Sequence, residues 1–580
     1  MYNILFLLLR RMRVPLIVVI FAYAISILGL VLMPGVDDQG NAWKMSFFHA
    51  FYFVSFMGST IGFGEIPYPF SDAQRIWTTV AMYMTVISWL YAIGALFSIV
   101  QDKAFRRVVA YAKFTREVRR IREPFYLVCG FGDAGQLLIR ELAEHGIRSV
   151  VVDKNETKIH SLQLEELRMR VPGLTADFTD SSALVAAGLR KPQCAGVIAL
   201  TDNDDINLMV SITSKLLAPD VTVICRAESH DSQANIASFG TDHIINPYDR
   251  FAERFAMMFQ SPSMYLVYEW MTSIQQAPLT KFSAPPRGTW IICGYGRFGK
   301  AMQKSLSFKG LKTVIVELDP EGTNAPEGTI KGRGTEAITL HEAGIEYADG
   351  LIAGTDDDGN NLSIIMTALH LNKNLFTVAR QNVSSNDAIF AAARTDITML
   401  PGRLIGKQII DMLTTPLLTD FLRLATMQNE EWANLLISRV VGVMTDRPPE
   451  SWSITVSTKQ SPAVTQLLKR GATVTVKDLL TDPRDISSPL PCIALYLLHQ
   501  DHQEQLLPAD DTPLQIGDQL LICGHERAET HMRWSARSLH ALVYINRGYD
   551  APSGSLWRWL DEHRHRPVSQ GKTSPSDPSN

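Results

Sequence analysis

Residues 14–33 (VPLIVVIFAYAISILGLVLM) run for twenty positions without a charge, and residues 76–100 (IWTTVAMYMTVISWLYAIGALFSIV) form a second uncharged run. Lipid offers the backbone no hydrogen-bond partner, so such segments must satisfy themselves as helices. At about 1.5 Å per residue, twenty residues cover the roughly 30 Å hydrocarbon core. The second run is long enough to tilt. Between them, residues 45–59 (MSFFHAFYFVSFMGS) are apolar but too short to cross. They lead into Ser59-Thr60-Ile61-Gly62-Phe63-Gly64-Glu65. A short apolar helix ending in an irregular Gly loop reads as a re-entrant element, and such backbone survives at membrane depth only inside protein or along a water path. The competing readings are a buried core helix for each run and a surface turn for the loop. The length and neutrality of the runs, and the place of the loop between them, decide against both.

The loop has a chemistry of its own. Gly62 and Gly64 lack the Cβ that penalises positive φ, so alternate peptides can flip and aim their carbonyls the same way. Carbonyls of Thr60, Ile61, Gly62 and Phe63 from four copies can replace the water shell of a potassium ion. Two spans flanking a pore helix and TIGFGE resemble the bacterial two-transmembrane, ligand-gated potassium channels. The resemblance implies a selectivity filter over Thr60, Ile61, Gly62, Phe63 and Gly64, a permeant potassium ion, and a homotetramer. Phe63 and Glu65 depart from the Tyr and Asp commoner in such filters, which touches filter rigidity and leaves the backbone geometry intact. Gly94, inside the second run, reads either as a gating hinge or as a close-packing position; a helical Gly costs about 1 kcal/mol relative to Ala.

Charge sets the expected orientation. Arg10, Arg11 and Arg13 precede the first run, and Lys103, Arg106, Arg107, Lys113 and Arg116 follow the second. The connecting loop is acidic, with Asp37, Asp38, Glu65 and Asp72 against Lys44 and Arg75. Both termini are therefore expected in the cytoplasm of a cell with the chain in its inner membrane. The apolar run is too long for a signal peptide and no small-residue cleavage site follows it.

The remainder of the 580 residues contains a repeat. Tyr126-Leu127-Val128-Cys129-Gly130-Phe131-Gly132-Asp133-Ala134-Gly135 matches Trp290-Ile291-Ile292-Cys293-Gly294-Tyr295-Gly296-Arg297-Phe298-Gly299, an offset of 294 − 130 = 164. Each copy is a strand-like run, then G-x-G-x-x-G, then an amphipathic stretch (136–145 and 300–308). A second apolar run ends in an acid, Asp153 or Glu317, 18 residues past the last Gly in both copies (153 − 135 and 317 − 299). This is the dinucleotide-binding fingerprint: tight turn, close approach to pyrophosphate, close helix–strand packing, and an acid for the ribose hydroxyls. Further matching strands end at Thr201-Asp202 and Thr355-Asp356, at Arg226 and Arg380, and at Pro247 and Pro401. Strand–helix alternation predicts parallel sheets with helices on both faces.

The pattern resembles tandem RCK domains, the TrkA-N-like Rossmann modules that regulate potassium conductance. The expected fold is an α-helical two-transmembrane pore domain, α/β Rossmann-like tandem RCK domains and a small α+β C-terminal lobe. Expected boundaries are 1–100 for the pore (spans 14–33 and 76–100, pore helix 45–59, filter 60–64), 101–123 for a helical linker, 124–284 and 288–425 for the two RCK units, 426–547 for the lobe and 548–580 for a disordered tail. Leu514 to Gly524 carry the likeness to that lobe; the first repeat shows only helical segments (250–259, 265–274) and the linker Ser283-Ala284-Pro285-Pro286 in its place. The resemblance implies nucleotide contacts at Gly130–Gly135, Asp153, Asp177, Thr201 and Arg226, and at Gly294–Gly299 and Glu317, with eight such units forming a ring. Asp153 and Glu317 argue against a 2′-phosphate, leaving NAD, ADP or ATP. The first repeat has Ala176-Asp177 where the second has Gly332-Arg333-Gly334.

Asp202-Asn203-Asp204-Asp205 and Asp356-Asp357-Asp358 have the oxygens for calcium, although both open helices, where N-caps are the ordinary reading. The six cysteines sit in apolar contexts of a reducing compartment, without zinc or disulfide spacing. The basic run 116–122 lies near a span and suits anionic headgroups; the net charge of −4 speaks against nucleic acid. The rivals are a membrane-anchored dehydrogenase, which would need a general base beside the nicotinamide, a regulatory subunit, which would carry no filter, and a nonselective cation channel, which would lack the aromatic-Gly end of the loop.

Overall fold

The computed structural model describes residues 4–64, 66, 68–272, 284–444 and 449–548. Glu65, Ser283, the end of the 265–274 segment and the tail from 549 lie outside the described residues. Two units are distinguished, one built mainly on residues 1–122 and the other on the remainder.

In the first unit α1 (Ile4–Leu32) leads through the short pair β1 (Gly35–Val36) and β2 (Ala42–Trp43) to α2 (Phe47–Gly58), α3 (Asp72–Gln101) and α4 (Lys103–Arg120). Two of these helices, over Arg10–Leu32 and Asp72–Gln101, are long and apolar enough to cross a membrane. Helix α1 starts earlier than the apolar run because the arginines before it do not break helical geometry. Gly29 lets α3 close onto α1: a Cβ there would stand 2.0 Å from the Trp77 ring, whose Nε1 donates to Ser26 O at 3.1 Å. Ser71 and Gln74 form a reciprocal capping box at the start of α3. Asp102 alone separates α3 from α4; its carboxylate caps Ala104 N at 2.8 Å and pairs with Arg11.

The first repeat runs β3 (Phe125–Cys129), α5 (Asp133–Glu144), β4 (Arg148–Asp153), α6 (Glu156–Leu164), β5 (Gly173–Thr175), α7 (Ser181–Ala186), β6 (Cys194–Ala199), α8 (Asp204–Leu217), β7 (Thr222–Arg226), α9 (His230–Ser238), β8 (His243–Ile245), α10 (Pro247–Gln260) and α11 (Pro262–Thr272). The second runs β9 (Thr289–Cys293), α12 (Arg297–Phe308), β10 (Lys312–Glu317), β11 (Ile330–Lys331), α13 (Ala337–Glu342), β12 (Gly350–Ala353), α14 (Asp358–Leu371), β13 (Phe376–Arg380), α15 (Asp387–Ala392), β14 (Ile397–Met399), α16 (Pro401–Thr414) and α17 (Pro416–Ala425). Their sheets have the same order, β5-β4-β3-β6-β7-β8 and β11-β10-β9-β12-β13-β14. The pairings of β9 match those of β3: Ile291 faces Val314 and Leu351, as Leu127 faces Val150 and Val197. Helix α6 has no counterpart, which is why the repeat offset falls from 164 to 350 − 196 = 154 beyond the second strand.

The C-terminal lobe follows with α18 (Glu430–Val443), β15 (Glu450–Thr455), α19 (Pro462–Lys469), α20 (Val476–Leu480), β16 (Cys492–Leu498), β17 (Glu504–Leu506), β18 (Gln519–Gly524), α21 (Glu526–Arg537) and α22 (Leu539–Arg547). Its antiparallel sheet has the order β15-β18-β16-β17. One face packs on α19 to α22 and the other on α11, α17 and α18, so the end of the first repeat helps to cover this lobe.

The repeats exchange helices. Ile405, Ile409 and Ile410 of α16 are buried with Leu138, Ile139 and Leu142 of α5. Phe251, Phe255 and Phe259 of α10 are buried with Trp290, Phe298 and Met302 of the second repeat. The approach of α16 to α5 depends on small residues: a Cβ on Gly402 would lie 3.0 Å from Ala134 N. Gly402→Val is therefore expected to cost about 1–3 kcal/mol through overpacking, read as a fall in melting temperature of several degrees; an unchanged melt would show that the contact yields freely.

Candidate functional site

The candidate residues form two kinds of site, an irregular loop in the first unit and two Gly loops in the second. In the first, α2 ends at Gly58 and its last turn holds the loop through backbone donors. Thr60 N donates to Met57 O at 3.1 Å, and Ile61 N and Gly62 N donate to Phe56 O at 3.1 and 3.3 Å. Positive φ falls on every second residue, Thr60 (60°), Gly62 (63°) and Gly64 (77°). That alternation turns successive peptides to one side, as the Gly spacing suggested, and it extends to a Thr, where the left-handed region is disfavoured. The Phe63 ring meets Phe56 edge-on at 6.1 Å, an apolar tie between the loop and α2. Ile61 and Phe63 are both exposed in the single chain. Gly94 lies within the unbroken helix α3, and among the described residues outside its own helical turn no atom stands within 4 Å of a Cβ built on it, so packing among them does not require this glycine.

In the second unit the first five strands of each repeat carry their candidate residues at the carboxyl ends, where parallel sheets of this order open a crevice at the switch in strand direction. Gly130 (φ 106°) and Gly294 (φ 95°) make the turn after β3 and β9. The third glycines are sterically required: a Cβ on Gly135 would lie 2.3 Å from Gly130 O, and one on Gly299 2.1 Å from Gly294 O. The second glycines face space, with only Lys158 Nζ at 3.8 Å near Gly132 and nothing within 4 Å of Gly296. Gly132 and Gly296 cap α5 and α12 without a side-chain acceptor, leaving the helix N-termini to whatever occupies the crevice. The side chains of Phe131, Ala134 and Phe298 are buried in the core, so these positions can offer only backbone. The Tyr295 hydroxyl bonds to Gln303.

The acids at the ends of β4 and β10 are engaged by their own loops. Asp153 accepts from Phe131 N (2.6 Å) and Asn155 N (2.7 Å), and Glu317 from Tyr295 N (2.5 Å) and Asp319 N (3.1 Å). Each oxygen keeps a lone pair for a further donor, so the acid shapes the Gly loop and can still meet a hydroxyl. Asp177 accepts from the Thr179 amide (2.9 Å) and hydroxyl (2.7 Å), and these bonds hold its carboxyl below the usual range. Thr201 is held by Asn207, whose Oδ1 takes Thr201 N at 3.0 Å while its Nδ2 bridges Thr201 O and Arg226 O. Thr355, Asn361 and Arg380 repeat that arrangement. Asn207 and Asn361 were legible at the shared offset, 361 − 207 = 154.

Several polar side chains cross between repeats. Asp133 accepts from Ser384 N at 2.9 Å. Arg297 pairs at 2.8 Å with Glu228, whose buried carboxylate also holds Arg226. The guanidiniums of Arg226 and Arg297 thus converge on Glu228, a residue that belongs to no motif. In the second repeat Arg380 lies 4.9 Å over the Tyr248 ring and pairs with Asp356. In the acidic runs Asn203 and Asp357 are helix caps, accepting from Ile206 N (3.1 Å) and Asn360 N (2.7 Å), and Asp204 accepts from Glu228 N (3.0 Å). Among the described residues no cluster of three or more His, Cys, Asp or Glu has metal-binding geometry.

With this geometry in hand, comparison with known proteins gives two family matches. Residues 14–102 match the ion channel family, and residues 126–247 and 290–401 each match the TrkA-N domain. An uncharacterized protein of Methanothermus fervidus is 27% identical over 226 residues, 39% of this chain and 34% of its own length. Potassium channel protein 1 of Methanocaldococcus jannaschii is 24% identical over 242 residues, covering 41% and 67%. The voltage-gated potassium channel Kch of Escherichia coli is 27% identical over 199 residues, covering 34% and 46%. The chain thus spans about a third to two thirds of the length of these curated relatives. Among solved structures, the GsuK channel aligns over 92% of this chain and all of its own, at 17% identity and a TM-score of 0.46.

Because Asp153 accepts two backbone amides, Asp153→Asn must leave one of them facing an amide donor. We expect a loss of about 1–3 kcal/mol, measured as a lowered denaturation midpoint; equal stability would mean that the Gly loop does not depend on this carboxylate.

Proposed function

We propose that the chain, whose residues 14–102 match the ion channel family and whose residues 126–247 and 290–401 each match the TrkA-N domain, is a potassium-selective channel gated by a nucleotide bound at the Gly loops. The observation that carries the reading is the alternating positive φ at Thr60, Gly62 and Gly64, on a loop between two membrane-length helices. Carbonyls of Thr60, Ile61, Gly62 and Phe63 coordinate the ion, and four chains are needed because one loop supplies a quarter of them. The assembly is a homotetramer in the inner membrane, both termini cytoplasmic, with eight RCK units in a ring. The domain limits are those read from the sequence, with the filter at 60–64 and the linker at 101–123.

For the ligand, the uncapped N-termini of α5 and α12 and the open space over Gly132 and Gly296 favour a pyrophosphate, and Asp153 and Glu317 favour free ribose hydroxyls. The ligand is then NAD, ADP or ATP; solved structures of the related fold are described as bound to ADP and to NAD. The nucleotide contacts run over Gly130–Gly135, Asp153, Asp177, Thr201 and Arg226, and over Gly294–Gly299 and Glu317. The acidic runs are engaged as caps, so the geometry adds no support for calcium as a second ligand. The reading is a channel and not a dehydrogenase, since the ion-channel match covers the whole membrane part. Gating is linkage: the nucleotide biases the arrangement it binds more tightly, by no more than its differential affinity. The bias travels along the chain through α4 to α3, where Gly94 is the hinge.

Liposomes holding the purified protein should pass potassium in preference to sodium, and Gly62→Asp or Phe63→Ala should abolish the flux or its selectivity. Unchanged selective flux in both variants would remove the filter assignment. Mass spectrometry of ligands released from the protein should find a nucleotide near one per chain or more, lost in Gly135→Val; a wild-type protein that neither carries nor takes up a nucleotide would overturn the gating part.

A further inference from the structure

The second unit holds a cavity of about 540 Å³ that includes none of the Gly-loop residues. It lies where α10 and α11 of the first repeat meet α16 and α17 of the second. Its walls are made of equivalent positions at the 154-residue offset: Glu253 faces the role of Lys407, Met257 that of Asp411, and Tyr268 that of Leu422. The cavity is therefore a product of the pairing of the repeats, and its two walls have come to carry different chemistry. On the first wall the Arg254 guanidinium lies 5.6 Å from the Tyr268 ring centre and 6.0 Å from that of Tyr265, and it pairs with Glu269 at 2.5 Å. On the second, Lys407 pairs with Asp411 at 2.7 Å. Five cations line the space (Arg250, Arg254, Lys309, Lys407, Arg423), and four of them hold a carboxylate: Glu253, Glu269, Asp411 and Glu504 respectively for Arg250, Arg254, Lys407 and Arg423. The balance is a local charge of 5 − 4 = +1 in a chain whose net charge is −4, with Lys309 the cation outside these four pairs. Met257, Met264 and Leu418 supply an apolar floor.

We propose that this cavity binds a small phosphomonoester with an aromatic or apolar body, its phosphate between Arg254 and Lys407 and its body over Tyr268 and the methionines. The volume lies in the range of about 300–1,000 Å³ usual for small-ligand sites. A guanidinium has five donors in a fixed fork, so Arg254 can keep Glu269 and still offer a pair of donors to phosphate. Stacking on the tyrosines and pairing with Glu269 hold that fork in place before a ligand arrives. Burial pushes the Asp411 carboxyl up to about 6, against the pull of Lys407. When a phosphate draws Lys407 away, Asp411 can take up a proton and need not remain as an unpaired buried anion. A ligand here touches α10 and α11 of the first repeat and α16 and α17 of the second at once, bridging the junction between them. Only the gating consequence of that bridge rests on the channel reading given above; the binding does not.

Phenyl phosphate is a suitable probe, titrated calorimetrically into the detergent-solubilised full-length protein, with ADP titrated separately. Saturable phenyl phosphate binding is expected in the wild type. Lys407→Gln, which removes a cation, and Gln408→Trp, which fills the cavity from a lining position that belongs to neither ion pair, should each weaken it tenfold or more and leave ADP affinity unaltered. Gly135→Val should do the reverse. Should Gln408→Trp fail to fold, Thr426→Trp narrows the same cavity from its rim and must weaken binding equally. The proposal fails if the wild type shows no saturable binding, if Lys407→Gln and the cavity-filling variant both bind as the wild type does, or if ADP displaces phenyl phosphate. Potassium flux separates the two readings: phenyl phosphate binding by a protein that conducts nothing sinks the channel and keeps the cavity, and selective flux without phenyl phosphate binding does the opposite.

Discussion

Each helix that follows a Gly loop buries its outer face under a helix belonging to the other repeat. Ile405, Ile409 and Ile410 complete the first core, and Phe251, Phe255 and Phe259 complete the second. A buried side chain of this size contributes about 1.5–3 kcal/mol, so six of them amount to roughly 10 kcal/mol or more, comparable with the net stability of a whole domain. Neither repeat can therefore be regarded as a domain that folds and then docks. The pair is the folding unit, and the C-terminal lobe is tied to it through α11, which comes from the first repeat and covers a sheet that comes after the second.

The exchange fixes what a ligand in the crevice can act on. On the proposed nucleotide reading a phosphate sits at the N-termini of α5 and α12, and these are also the helices on which α16 and α10 rest. Gly402 brings α16 to within 3.0 Å, measured to a Cβ it does not have, of the Ala134 amide. Asp133 and Arg297, the fourth residues of the two loops, already reach the opposite repeat. A shift of either Gly loop is thus felt by the other repeat through direct contact. The two sides are unequal, however: the position equivalent to Gly402 is Tyr248, whose ring is covered by Arg380 and leans on Phe298 at 6.0 Å. One junction is set by backbone proximity and the other by an aromatic–cation stack, so the two loops are coupled with different stiffness.

Much of this was legible in the sequence, and the limits have physical causes. The repeat at 130 and 294 gave the two parallel sheets because glycine spacing and apolar runs report local geometry. Helix starts were read late: α5 begins at Asp133 and not at 136, since the loop glycines already belong to the helix entry. Asn207 and Asn361 could have been found, because a polar residue recurring on the same face of two helices marks a shared bond. The exchange of α10 and α16 could not. An apolar face reports that it is buried, and nothing in its periodicity names the partner. Glu228 was invisible for the same reason, as its meaning lies in Arg226 and Arg297, residues brought together only by the fold. In the membrane part, hydropathy set the length of the spans but missed the start of α1 at Ile4, because arginines are compatible with a helix that has left the hydrocarbon.

The loop at 60–64 adds an energetic point that its glycines conceal. Glycine takes φ of 63° and 77° at Gly62 and Gly64 without penalty, but Thr60 takes 60° as a β-branched residue. Left-handed backbone costs an L-residue roughly 1–2 kcal/mol, and such strain persists only where the surroundings over-determine it. Within the chain the restraint is three backbone bonds to the last turn of α2 and the edge contact of Phe63 with Phe56. Those contacts hold the base of the loop and leave its carbonyls unengaged by the described residues. On the filter reading, the missing restraint is the ion itself: any cation bound by the loop and not by its relaxed form stabilises the strained conformation by RT ln(1 + [L]/Kd). A pore built this way is most ordered when occupied, and the ion that binds the loop more tightly stabilises it more.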